Sequence, residues 1–223
     1  MNKKNTMAVH ATLLVAPACP YCPQIKKTLN ELLASKHLAS LDIVDISVDF
    51  EKAEKIGVRS VPWLAMNSLE LQGAHTEAEI KYWLDQASRK DGRQQLFDNL
   101  LEVGQISQVE SMLRRNPDGL SDLLTLFADQ ERQINVRIGA SAVLESLQGS
   151  GLLEQAVDEI ANYTLADDAS TRIDACHVLS FIQHPVAISM LKVALNDVDE
   201  EVREVALDSL ETLSGSISDQ QLH

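Results

Sequence analysis

The chain of 223 residues holds only three cysteines, Cys19, Cys22 and Cys176. That is too few for a stapled framework, and a tetrahedral zinc site would need a second ligand pair. Cys176 stands alone and no histidine pair lies at ligand spacing, so no metal is expected. Long apolar runs are missing too. Nothing approaches the roughly 18 apolar residues of a membrane span, so no membrane association is expected. Basic residues are the minority, with 19 Lys and Arg against 33 Asp and Glu and a net charge of −14. The deficit is local: residues 1–90 hold 11 basic and 10 acidic residues, whereas residues 91–223 hold 8 and 23. Nucleic-acid binding neutralises phosphates with Lys and Arg, so this surface argues against it. Such acidity serves solubility, and it can also steer a basic partner.

What the chain does have is Cys19-Pro20-Tyr21-Cys22. The apolar run Ala11-Thr12-Leu13-Leu14-Val15-Ala16 precedes it. Ile25, Leu29, Leu32 and Leu33 follow at helical spacing. Strand, CxxC and helix in that order put both sulfurs at a helix N-terminus, where free N–H groups and the helix dipole favour a thiolate. The thiolate is the nucleophile of disulfide exchange, so the spacing points to redox chemistry. Lys3 and Lys4, with an apolar stretch ending Ala16-Pro17-Ala18, imitate a signal peptide. His10 and Thr12 interrupt that stretch, and cleavage would remove the strand that carries the CxxC. A core strand in a reduced, cytoplasmic setting is expected.

CPYC is the dithiol glutaredoxin sequence, and this part of the chain resembles glutaredoxins and the thioredoxin fold generally. The resemblance continues at Gly57-Val58-Arg59-Ser60-Val61-Pro62, similar to the loop that places a cis-proline beside the CxxC in that family. It covers about residues 8–90. The resemblance implies that Cys19 is the nucleophile and Cys22 the resolver. Pro20 and Tyr21 would shape the turn. Val61 and Pro62 would offer backbone groups to an extended substrate strand. Trp63 would be either a substrate platform or a core aromatic. The chain departs from glutaredoxins at Gly73-Ala74-His75-Thr76, where they carry paired glycines and an acid that grip glutathione. That speaks against glutathione as a partner. It departs from thioredoxins at Leu13-Leu14, where they often keep a buried acid. Pro23, directly after Cys22, is similar to the glutaredoxin-like units of protein disulfide oxidoreductases and of peroxidase-reductase N-terminal domains. That likeness implies a dedicated protein client. No cofactor is expected.

Element by element, the pattern predicts a strand at 10–16, with Cys19 as N-cap and Pro20 at the first helical position. Pro23 would then remove the first intrahelical bond and make the start irregular or a residue later. A helix over 24–36, a strand over 41–46 and a short helix over 50–56 come next. Strands 63–66 and 69–71 join through Asn67-Ser68. Thr76 and Glu79 form a capping box for a third helix. The order is βαβαββα. The polar run 88–93 reads as a boundary.

Beyond it the pattern is helical and repeats. From the starts Val136, Thr171 and Val202, alanine recurs four residues on (Ala140, Ala175, Ala206), and apolar residues recur eight and eleven on. An arginine follows each start: Arg137, Arg172 and Arg203. Helix pairs at a period of 35 and then 31 residues describe a solenoid, whose units bury their faces only against one another. The texture over about residues 120–214 resembles short HEAT repeats, a resemblance that implies protein binding. The arginines are expected to bridge to loop aspartates such as Asp167 and Asp197, and Cys176 to be a half-buried structural thiol.

The reading is an α/β thioredoxin-like domain at 1–90, a helical connector at 91–118 and an all-α HEAT-like solenoid at 119–223. Its function would be thiol–disulfide exchange on a protein client docked by the array, with an electron donor still to be identified. The alternative is a non-enzymatic redox-sensing scaffold whose repeats bind a partner protein.

Overall fold

The computed structural model describes residues 7–58 and 60–220. Residues 1–6 of the expected polar tail, and Arg59, lie outside them. The chain divides into two compact units, Met1–Leu96 and Phe97–His223.

The first unit contains β1 (His10–Val15), α1 (Cys22–Ala34), β2 (Ser40–Asp45), α2 (Phe50–Ile56), β3 (Trp63–Met66), β4 (Leu69–Gln72) and α3 (Glu77–Ala87). The sheet order is β2-β1-β3-β4. β1 runs parallel to β2 and antiparallel to β3, and β4 is antiparallel to β3. β1 is central, which explains its nearly unbroken apolar sequence. Leu13 and Leu14 point to opposite faces and are both 0% exposed, so both faces of the sheet are covered. Leu14 lies opposite Val44 on β2 and Trp63 on β3, and these three form a core cluster against Ile46, Ile56, Val58 and Val61.

Two local devices fix this unit. Asn67 adopts a left-handed backbone at φ 51°, which asparagine tolerates better than most residues. Its Oδ1 accepts the His10 N–H at 3.0 Å, and its Nδ2 donates to the carbonyls of Ala8 and Ala87 at 3.1 and 3.0 Å. One turn residue therefore ties the chain before β1 and the end of α3 to the β3–β4 hairpin. Thr76 and Glu79 form the capping box of α3. At the end of the unit, a Cβ on Gly92 would lie 2.1 Å from the Gln86 carbonyl oxygen, so only glycine fits there.

From residue 92 onward the described elements are helical: α4 (Gly92–Glu102), α5 (Ile106–Arg115), α6 (Leu120–Ala128), α7 (Ile134–Ser146), α8 (Leu152–Gln155), α9 (Val157–Tyr163), α10 (Ala169–Leu179), α11 (Pro185–Ala194) and α12 (Glu200–Gln220), with a 3₁₀ turn at Pro117–Gly119. α6 packs on α7, α9 on α10 and α11 on α12, and α10 also touches α7 and α12. Ala140, Ala175 and Ala206 are each fully buried, as the repeated stripe requires. α8 is an element the repeat pattern does not foretell. Gly149 and Gly151 bracket the turn before it with φ of 71° and 78°, a conformation glycine adopts at no steric cost.

Arg172 reaches the expected loop aspartate, whereas the other two arginines take different partners. Arg172 donates through Nε and Nη2 to the Asp197 carboxylate, both at 2.9 Å, and through Nη1 to the carbonyls of Ala166 and Asp167. Asp167 thus contributes its backbone, not its carboxylate. Arg203 reaches the carbonyls of Asp197 and Val198 in the same way. Arg137 instead pairs with Asp174 on α10, at 3.0 Å. Cys176 is fully buried, not half-buried. α12 closes over it, and Ser209 Oγ donates to its carbonyl at 3.0 Å.

Candidate active site

β1 delivers the chain to the end of the sheet, and the Cys19 N–H donates to the Ala16 carbonyl at 3.1 Å in the turn that follows. α1 then starts at Cys22, with Tyr21 as N-cap and Pro23 in the first turn. This corrects the expected start, Cys19 as N-cap with Pro20 first. The first four N–H groups of a helix have no intrahelical acceptor, so Pro23 costs no hydrogen bond where it stands. Tyr21 supplies no side-chain cap, and the Cys22 N–H donates to Cys19 Sγ at 3.1 Å. The first helical N–H therefore points at a cysteine sulfur.

Cys19 and Cys22 form a disulfide. They are 9% and 4% exposed, while Tyr21 beside them is 57% exposed and Pro20 also faces solvent. The pair Leu14–Trp63 puts the start of β3 next to the end of β1. The residues just before β3 therefore enter at the end from which Cys19 leaves. Those residues are Val61 and Pro62, joined by a cis peptide bond. Pro62 is buried and Val61 half-buried, and the Pro62 carbonyl accepts the Gly73 N–H at 3.0 Å. Trp63 is 4% exposed in the Leu14 cluster, and among the described residues its indole Nε1 has no hydrogen-bond partner. Its ring is a core aromatic packed with Leu14 and Val44. His75 turns back on its own loop, with Nε2 donating to the Gln72 carbonyl at 3.1 Å.

One feature of this end escapes a reading based on cysteine spacing. The loop after β2 emerges beside the CxxC loop, because β1 and β2 are parallel neighbours and the Ile46 N–H donates to the Val15 carbonyl at 2.9 Å. Asp45 holds that loop by accepting from the Ser47 N–H and Oγ at 2.9 and 2.6 Å. These bonds also pull its carboxyl below the usual range. The held loop presents Val48, 84% exposed, and Phe50 at the start of α2 is 67% exposed. The available signal was Asp45-Ile46-Ser47, an Asx-turn sequence following a strand. Among the described residues, no group of three His, Cys, Asp or Glu side chains is placed to hold a metal ion. None of the described helices is long and apolar enough to cross a membrane.

This geometry agrees with the comparisons to known proteins. The thioredoxin domain family model matches residues 9–85. A probable thioredoxin of Methanothermobacter thermautotrophicus is 35% identical over 78 residues, spanning 33% of this chain and 89% of that protein. A probable thioredoxin of Methanothermobacter marburgensis is 36% identical over 66 residues, spanning 28% of this chain and 75% of that protein. A thioredoxin-like domain with a CxxC pair, here the Cys19–Cys22 disulfide, supports thiol–disulfide redox activity in general, and through its first unit the chain belongs to the thioredoxin family.

Proposed function

We propose that the protein is a thiol–disulfide oxidoreductase that acts on a protein client selected by its helical repeats. The observation that carries the reading is the Cys19–Cys22 disulfide at the start of α1, on the same end of the sheet as the cis Val61–Pro62 bond. In the reducing direction, the Cys19 thiolate attacks one sulfur of a client disulfide. A Cys19–client mixed disulfide forms, and the other client sulfur leaves as a thiolate. The Cys22 thiolate then attacks Cys19 Sγ, closes the Cys19–Cys22 disulfide and releases the second client thiol. An electron donor returns two electrons and two protons to the pair. The same steps run backwards oxidise a client dithiol.

The Cys22 N–H that reaches Cys19 Sγ is placed to stabilise a thiolate there. Val61, just before β3, would offer backbone groups to an extended client segment, and Tyr21 flanks the sulfurs. The loop after the last strand has one glycine, Gly73, and no acid before Thr76, which favours a protein client over glutathione. The repeated stripes of α7, α10 and α12 support a HEAT-like array, and its acidity suits a basic client. Dithiol chemistry of this kind fits a reducing, cytoplasmic setting.

The test is a trap. Cys22→Ser leaves Cys19 with no resolver, so a mixed disulfide accumulates that excess dithiothreitol releases. A client held by Cys22→Ser and absent from the Cys19→Ser, Cys22→Ser double variant supports the reading. Equal capture by both variants removes it.

A further inference from the structure

In the second unit, the loop between α9 and α10 and the loop between α11 and α12 form the walls of a groove of about 460 Å³. Three large apolar side chains line it while facing water: Leu165 at 64% exposure, Val193 at 55% and Val198 at 95%. Apolar surface gathered in one concave place and left wet marks a binding surface more often than scattered single residues do.

The charges around the groove indicate what covers it. Residues 164–168 and 195–201 contain six carboxylates and no Lys or Arg. Three of the six have structural work within the fold. Asp168 caps α10, Asp197 holds Arg172, and Asp199 accepts the N–H groups of Glu201 and Val202. Asp167, Glu200 and Glu201 are exposed, and among the described residues no cation pairs with their carboxylates. The cation lining the groove, Arg172, is committed to Asp197 and two carbonyls, so it offers little to an anionic ligand. Exposed apolar side chains beside an acidic rim fit a ligand that is apolar at its centre and positive at its edges.

We propose that this groove docks a segment of a partner protein in which a large apolar side chain is flanked by Lys or Arg. The proposal rests on the client-docking reading above and gives it a place on the molecule. The acidic loops supply steering, and Leu165, Val193 and Val198 supply the anchor contact.

The test uses the full chain and a fluorescent synthetic peptide of paired phenylalanines flanked by lysines, read by anisotropy. Two control peptides replace the lysines with glutamate or the phenylalanines with serine. The lysine–phenylalanine peptide is expected to bind and both controls to bind weakly. Val198→Asp changes an almost fully exposed side chain and is expected to weaken binding about tenfold, as loss of an anchor does. Asp167→Lys with Glu200→Lys should also weaken it and flatten its salt dependence. Asp208→Lys with Glu211→Lys changes net charge by the same amount further along α12, and should leave binding within about twofold. Absence of binding, full binding by the Val198→Asp variant, equal losses from the two double variants, or equal binding of the serine control would each overturn the proposal. Reduction of a small disulfide, followed in the same samples, should not change in any variant. A failed groove is thereby told apart from failed redox chemistry.

Discussion

The two units keep their cysteines in opposite chemical conditions. In the first, Cys19 and Cys22 stand where a strand ends and a helix begins, joined to each other and served by a backbone N–H. In the second, Cys176 sits inside α10 beneath α12. Burial, with a smaller push from Asp197 against the pull of Arg172, raises its thiol to about 11. A cysteine at a helix start is chemically addressable, and one in a repeat stripe is packing. The means of stability differ as well. The first unit is organised by strands that are distant in sequence and meet at Leu14. The second is organised by helices that lie near one another in sequence, with Arg137 and Arg172 each reaching an aspartate of the next helix pair.

That contrast can be broken one unit at a time. The largest effect is expected for Leu14→Ala, which empties the junction of β1, β2 and β3. It should destabilise the first unit by about 4 kcal/mol, within the range for buried leucine truncations. Disulfide reduction should fall with it, and the helical signal of the second unit should persist under conditions that unfold the first. Simultaneous loss of both signals would mean that the units are not separable. Arg172→Ala is the counterpart in the second unit. The Arg172 and Asp197 side chains are 10% and 13% exposed, so removing the guanidinium strands a buried carboxylate, at a cost of about 3 kcal/mol. Denaturant unfolding measures it, and reduction of a small disulfide should not change.

How far the sequence foretold this contrast depends on the kind of pattern involved. Alternation, helical spacing and the Thr76/Glu79 box are local, and they gave the βαβαββα order and the three stripes. The start of α1 was misplaced because a proline is tolerated anywhere in a helix's first turn, so Pro20 and Pro23 were equally good markers. Arg137 was expected to find a loop aspartate, yet it found Asp174 on α10, because partner choice depends on how neighbouring helices stack. Cys176 was expected to be half-buried, but coverage by α12 is a tertiary fact that no single repeat contains. Trp63 could be read as platform or core, and only its register against Leu14 shows where the ring lies.

A smaller effect concerns alkaline pH. The folded Cys176 thiol titrates near 11, against an ordinary value of 9.0. Between those values the unfolded chain has lost the proton that the folded chain keeps. Stability should therefore fall as pH rises from 9 to 11, by at most about 2–3 kcal/mol. Cys176→Ala should flatten that slope in denaturant unfolding followed against pH, and an unchanged slope would remove Cys176 as its source. The smallest effect is expected for Thr76→Ala. It removes the capping box of α3 and should cost about 1 kcal/mol in the first unit alone.

The most direct test of the contrast is turnover. A model protein disulfide is offered in large excess over the full chain, with dithiothreitol as reductant, and released thiols are counted per chain. The account predicts many disulfides reduced per chain, none above background for Cys19→Ser, and an undiminished rate for Cys176→Ser. No more than one disulfide reduced per chain, or full turnover without Cys19, would contradict it.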